Sequence, residues 1–381
     1  MPKKKEKILV AMSGGVDSSV ATAMLVKQGY DVTGAYMKQW TDTNELSGVC
    51  TWKEDRRDAL RVAAHLGIPM ITLDFESEYK KWVMEYMFSE YEKGRTPNPD
   101  VLCNKFIKFG VWLTKAKELG FAKLATGHYA RLGREETRNK KQETNNFVYR
   151  LLEAKDKNKD QTYFLHQLTQ EQLKDVLFPL GKYTKEKVRK LAFKLGLPTA
   201  DKPESMGICF VGEVSMKEFL LQKIKPNKGK IITTSGEVVG EHDGLPFYTI
   251  GQRHLKMQNA EFRMRNGDNK PLYVVDKKFE ANELVVGHED DPLFYKKEIK
   301  VIDINWVIGQ KPQFPLKCEV RMRHRQKMQP AKISMINGEL SVEFEEPQKA
   351  VTPGQFAVFY LPRGGALRGK NKECLGGGII T

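Results

Sequence analysis

The sequence predicts an α/β protein of three parts: an N-terminal parallel sheet flanked by helices, a small central domain, and a C-terminal antiparallel β-barrel. Three observations carry this. From residue 7 to about 200, apolar strand-like runs alternate with helical stretches, a pattern that calls for parallel strands joined by crossover helices. Residues 211 to 270 are dense in turn signals. Beyond about 271, short β-branched runs recur between turns, as in a barrel. A chain of 381 residues also exceeds what one core usually organises. The parts are expected at 1–210, 211–272 and 273–381.

The first element is the apolar run Lys7–Met12, read as a buried strand. It empties into Ser13-Gly14-Gly15-Val16-Asp17-Ser18-Ser19, and Val16–Gln28 has helical composition. Two glycines let backbone N–H groups approach a ligand closely, and the helix N-terminus behind them adds partial positive charge. Such a loop holds phosphate. It lacks the lysine with which GxxxxGK[ST] loops reach the β- and γ-phosphates. A lysine-free loop suits an enzyme that grips pyrophosphate and cuts ATP between its α- and β-phosphates.

Val32–Met37, Pro69–Asp74 and Lys123–Thr126 read as further strands, and Glu54–Leu66, Glu78–Glu92 and Lys105–Leu119 as helices. The glycine loop, Met37 and Gly127-His128-Tyr129 all follow strands. They are therefore expected to converge on one crevice at the C-terminal ends of a parallel sheet. Thr137–Asn146 is polar and reads as a hairpin tip. The central part shows turns at Lys228-Gly229-Lys230, Ser235-Gly236-Glu237 and Asp243-Gly244. The C-terminal runs are Leu272–Val275, Leu284–Val286, Ile299–Ile304, Cys318–Met322, Leu340–Phe344 and Phe356–Tyr360.

Composition narrows the class of function. Lys and Arg number 63 against 48 acidic residues, a formal charge of +15, which attracts polyanions and predicts salt-sensitive binding. No apolar run reaches the ~20 residues of a membrane span, so no membrane partner is expected. The basic start Met1–Lys7 has no signal-peptide core behind it. Cys50, Cys103, Cys209, Cys318 and Cys374 include no CxxC pair. That is neither a disulfide scaffold nor a zinc finger, and it fits a reducing cytoplasm.

The motifs together identify a family. Ser13–Ser19, Phe88–Asn104 with Gly94-Arg95-Thr96-Pro97-Asn98-Pro99-Asp100, and Ala125–Ala130 come first. Lys159–Leu165, Gly207-Ile208-Cys209-Phe210, Tyr248–Arg253, Thr352–Gln355 and Cys374–Ile380 follow in the same order. In these the chain resembles the tRNA-specific 2-thiouridylases, which place sulfur on the wobble uridine of certain tRNAs. The resemblance implies an adenine nucleotide α-hydrolase-like (PP-loop) domain that adenylates the C2 oxygen of the uracil with ATP. Ala11, Met12, Ser13, Gly14, Gly15, Val16, Asp17, Ser18, Met37 and Gly127 would bind the ATP, with Asp17 the candidate for the magnesium side.

The resemblance further implies that Cys209 carries a persulfide and that Cys103 resolves it. Cys103 just precedes Asn104, read as the start of a helix carrying Lys105 and Lys108, a setting that favours a thiolate. Asp100, three residues before it, is placed to act as general acid or base. Asn98, Pro99 and Asp100 would touch the target base. His128, the loop Lys159-Asp160-Gln161 (read as exposed), a basic cluster of Arg321, Arg323, His324 and Arg325, and Gln355 would meet the tRNA. Implied partners are the tRNAs for Lys, Glu and Gln and a cysteine desulfurase or sulfur-relay protein. Two other readings remain open on the residues: an amidating ligase with the same loop, and a tRNA-binding protein without catalysis. The chain departs from the family at Lys202-Pro203-Glu204-Ser205-Met206 and at Leu255-Lys256-Met257-Gln258-Asn259.

Overall fold

A computed structural model describes residues 5–38, 51–139, 144–203, 215–253, 255, 271–361 and 372–381. The N-terminal strands β1 (Lys7–Ala11), β2 (Asp31–Lys38), β3 (Met70–Asp74), β4 (Lys123–Ala125) and β7 (Val176–Leu177) form a parallel sheet ordered β3-β2-β1-β4-β7. Ile8, Leu9 and Val10 of β1 are all fully buried. That is why β1 is continuously apolar rather than alternating: helices cover both faces of the sheet. Because β2 and β4 flank β1 on opposite sides, the crevice opens at the C-terminal end of β1. Helix α1 (Val16–Lys27) leaves that end, and α2 (Thr51–Leu66) packs beside it.

Two further helices contain π-helical stretches. Glu76–Tyr79, Lys80–Met84 and Glu85–Glu92 run on as α3, with the middle segment π. Pro99–Leu102, the π segment Cys103–Trp112 and Leu113–Glu118 run on as α4. The sequence reading started α4 at Lys105; it starts at Pro99. Asn98 is the reason, because its side chain accepts from Val101 N while Pro99 supplies a preset φ in the first turn.

The second sheet is ordered β10-β11-β8-β9, from β8 (Gly229–Thr233), β9 (Val238–His242), β10 (Tyr273–Lys278) and β11 (Glu283–Gly287). Here a strand assignment changes. Leu272–Val275 and Leu284–Val286 read as C-terminal strands, yet β11 pairs in parallel with β8, and Val274, Leu284 and Val286 share a core with Ile231 and Val239. A β-branched run announces a strand; it does not say which sheet the strand joins.

The third sheet closes on itself. β12 (Tyr295–Trp306), β15 (Glu339–Lys349), β14 (Gln329–Ile336), β13 (Leu316–Arg321), β16 (Phe356–Tyr360) and β17 (Glu373–Ile380) neighbour one another in that order, and β12 also pairs with β17. The result is a closed antiparallel barrel, which leaves no exposed edge. β14 and β17 were absent from the strand reading, β17 because its Gly376-Gly377-Gly378 run looks like loop. A hairpin from the first part, β5 (Ala130–Asn139) with β6 (Thr144–Glu153), adds to the outside of the barrel through β6 and β17. Among the described residues no helix is long and apolar enough to cross a membrane.

Candidate active site

The nucleotide loop is shaped by its own backbone. Met12 N donates to Ala35 O at 2.8 Å, extending the ladder of β1 before the chain turns. Gly14 then takes φ +75, and a Cβ there would lie 2.2 Å from Asp55 O, so only glycine fits. Ser18 Oγ and Ser19 Oγ donate to Gly15 O at 3.0 and 2.8 Å, and Ser13 N donates to Ser18 Oγ. No side chain caps the start of α1 at Gly15, which leaves its N–H groups for a ligand. Gly127, after β4, lies against the loop: its Cβ would come within 2.8 Å of Ser18 N. Met12, Val16 and Ser18 are buried, while Ala11 and Met37 sit half-buried toward the ends of adjacent strands. The expected convergence of loop, Met37 and Gly127 on one crevice is what the sheet order produces.

Asp17 in the first turn of α1 is held firmly. Its carboxylate accepts from Lys185 Nζ at 2.7 Å on both oxygens and from Tyr129 OH at 2.8 Å. Tyr129 N in turn donates to Gln161 Oε1 at 2.9 Å. Lys185, which opens the helix Lys185–Lys194, escaped the sequence reading. The loop that has no lysine of its own borrows one from far along the chain.

A second cluster surrounds the start of α4. Asn98 Nδ2 donates to Gln355 Oε1 at 3.4 Å, and Gln355 Nε2 donates to Thr96 O at 2.8 Å. Two residues singled out separately in sequence are thus in contact across the barrel junction. Burial pushes the Asp100 carboxyl above the usual range, opposed by the nearby Lys108 ammonium. Burial, with the same Lys108, drives His128 well below its ordinary value. Its Nδ1 lies 2.7 Å from Thr126 Oγ1, and its ring packs near Phe109 and Phe178. His128 is therefore a neutral ring.

Cys103 is 5% exposed and lies inside α4, one turn past the Asn98 cap. The expectation that it precedes the helix is corrected accordingly. Lys105 is not its counter-charge either: its Nζ donates to Gln167 Oε1 at 3.0 Å, and burial lowers its pKa. Cys209 and Cys50 lie outside the described residues. Burial raises the Cys318 thiol to about 12 and pushes Cys374 up as well, so both are inert packing residues.

The loop Lys159-Asp160-Gln161 was read as exposed. Asp160 is instead 1% exposed: it accepts from Ala154 N and Thr162 Oγ1 and pairs with Arg321 at 3.1 Å. Arg321 likewise leaves the exposed basic cluster, its guanidinium stacked over Tyr360. Arg323 is partly committed, donating to Ala350 O and Thr352 Oγ1 at 2.6 and 2.8 Å. Arg325 is exposed. His324 is held neutral, near 4, by burial and by the positive charges of Arg325, Arg321 and Lys159. The two basic motifs therefore do meet, through Lys159, His324 and Arg325. Between the central part and the barrel opens a cleft of about 430 Å³ lined by Thr249, Ile250, Gly251, Gln252, Arg323, Thr352 and Gln355. The residues at 249–252 drew no site assignment, although they lie in the Tyr248–Arg253 motif.

Comparison with known proteins accounts for all three parts. Residues 6–213 match the tRNA methyl transferase HUP domain, 217–288 the tRNA methyl transferase PRC-barrel domain, and 296–380 the aminomethyltransferase beta-barrel domain. The chain is 45% identical over 378 residues, 98% of its length and 94% of the relative's, to tRNA-specific 2-thiouridylase MnmA 2 of Geobacillus kaustophilus (strain HTA426). The chain belongs to the tRNA-specific 2-thiouridylase family. The 2-thiouridylases of Bacillus pumilus, at 46% identity over 100% of this chain and 96% of theirs, and of Streptococcus equi subsp. zooepidemicus, at 44% over 99% and 95%, agree.

Proposed function

We propose that this 2-thiouridylase makes 2-thiouridine in tRNA, activating the uracil C2 oxygen with ATP and replacing it with sulfur. The observation that carries the chemistry is the α4 segment, which sets the half-buried Asp100 carboxyl and the buried Cys103 thiol one turn apart beside Asn98 and Gln355. Uracil O2 is a poor leaving group, and ATP supplies the AMP that makes it a good one. The open N-terminus of α1 and the glycine loop stabilise the departing pyrophosphate. Magnesium is usually held by one or two carboxylates together with substrate phosphates. Asp17 would join in that mode by exchanging its contact with Lys185 for the ion, and among the described residues no cluster of three or more His, Cys, Asp or Glu would hold a metal alone.

Asp100, whose carboxyl burial raises above its ordinary range, donates a hydrogen bond or a proton at the target base when protonated. Cys209, loaded as a persulfide by a cysteine desulfurase or relay protein, delivers its terminal sulfur to C2. The Cys103 thiolate attacks Cys209 Sγ, the persulfide S–S bond breaks, and AMP leaves with the former O2. A Cys103–Cys209 disulfide remains for an external dithiol to reduce. Lys159, His324, Arg325 and Gln355 form the RNA side, for wobble-uridine tRNAs. The test is incubation with ATP, magnesium, tRNA and a persulfide source, followed by nucleoside digestion. Appearance of 2-thiouridine together with AMP and pyrophosphate supports the reading; ADP as product, or AMP with unmodified tRNA, refutes it.

A further inference from the structure

Gly94 is the point from which the segment Arg95–Asp100 departs toward α4, and the central sheet closes on it. Lys277 of β10 donates from Nζ to Gly94 O at 3.1 Å. Phe279, just past β10 and 44% exposed, lays its ring over Gly94, so a Cβ there would lie 1.6 Å from Cζ unless the ring moved aside. Gly94 also takes φ +74, which a side chain resists. Lys277 is half-buried in this joint, and desolvation brings its pKa down to about 8. The Gly94 carbonyl offsets part of the cost of taking the ammonium out of water. The next residues are gripped from elsewhere: Thr96 N donates to Pro353 O at 2.9 Å, and Thr96 Oγ1 lies 3.3 Å from Thr249 Oγ1.

We infer that Lys277 and Phe279 are positioning residues, fixing Gly94 as a pivot so that Asn98, Asp100 and Cys103 meet the target base only when the central sheet is docked. They act through Gly94 and reach no substrate themselves. The inference rests on reading residues 98–103 as the base site. Its consequence is that the nucleotide loop works without the joint while sulfur transfer does not.

The test uses the full chain and compares wild type, Lys277→Met, Gly94→Ala and the pair Gly94→Ala/Phe279→Ala. The single-turnover rate of 2-thiouridine formation, the KM for ATP and the thermal unfolding midpoint are measured on each. Small displacements of reacting groups cost up to about a hundredfold. Lys277→Met is expected to slow sulfur transfer by about tenfold or more, with the KM for ATP within about twofold. Gly94→Ala should lose about a hundredfold, and Phe279→Ala placed on top should restore at least about fivefold by clearing the ring. Wild-type rates in Lys277→Met, or no recovery in the double variant, overturn the inference alone. So does a Lys277→Met loss shared by rate, KM and unfolding midpoint. Absence of 2-thiouridine in the wild type overturns the underlying reading as well.

Discussion

Residues 12 to 18 build the nucleotide loop largely from hydrogen bonds within the loop itself, Ser13 to Ser18 and Ser18 to Gly15. The base site is the opposite: Asn98 meets Gln355 across 257 positions, and Thr96 meets Thr249 across 153. One cluster takes its turn from a single stretch of chain and reaches Lys185 and Tyr129 only through Asp17, whereas the other draws its hydrogen bonds from all three parts. Local sites tolerate damage elsewhere in the molecule, whereas assembled sites register it.

The sharpest way to break this comparison is at α4. Cys103→Ser should abolish 2-thiouridine formation yet leave tRNA-dependent pyrophosphate release intact, because the nucleotide loop stands alone; loss of both in a pyrophosphate assay would show the sites to be one unit. Asp100→Asn should cost about 10²-fold in single-turnover rate. Since burial raises the Asp100 pKa, its protonated form persists above the ordinary carboxylate range, and activity falls as pH rises through the shifted value. The variant should lack that limb of the pH–rate profile.

Asp160→Ala comes next. It removes the 3.1 Å partner of buried Arg321 and leaves its guanidinium only Glu153 at 3.8 Å, a loss of up to about 3–5 kcal/mol in denaturant unfolding. Unchanged stability would show that the junction is not held there. Asp17→Asn should slow AMP formation by about tenfold while leaving the base site assembled; a matching loss of tRNA affinity would contradict the separation. The smallest effect belongs to the rim. Arg325→Ala should reduce the salt slope of tRNA binding by about one unit. Arg323→Ala, already committed to Ala350 and Thr352, should change it less. Equal slopes would return Arg323 to the phosphate-contacting set.

The same contrast explains what sequence could disclose. The glycine loop, its strand and its helix were legible because their geometry is set by residues within a few positions of one another. Cys103 stands out as a residue but not by its place in the helix, because the Asn98 cap that starts α4 earlier lies in a Pro-Asn-Pro stretch that reads as a turn. Asp160 was misread because its burial depends on Arg321, and nothing in a Lys-Asp-Gln triplet announces a partner in another sheet. Lys185 was missed for the same reason. β10 and β11 were visible as strands, but their sheet was decided by pairing with β8, a matter of tertiary contact rather than local pattern.

The pairing of β17 with β6 carries a consequence for how the molecule is born. Arg150 on β6 and Glu373 on β17 form their ion pair across 223 positions. At ribosomal speeds of 5–20 residues per second, β6 waits roughly 10–45 s for its partner. During that interval Leu151, fully covered in the finished protein, has no β17 beside it, and the barrel lacks the strand that closes it. A nascent chain therefore presents a finished nucleotide loop beside an open-edged sheet, which is the species a cell's chaperones would meet.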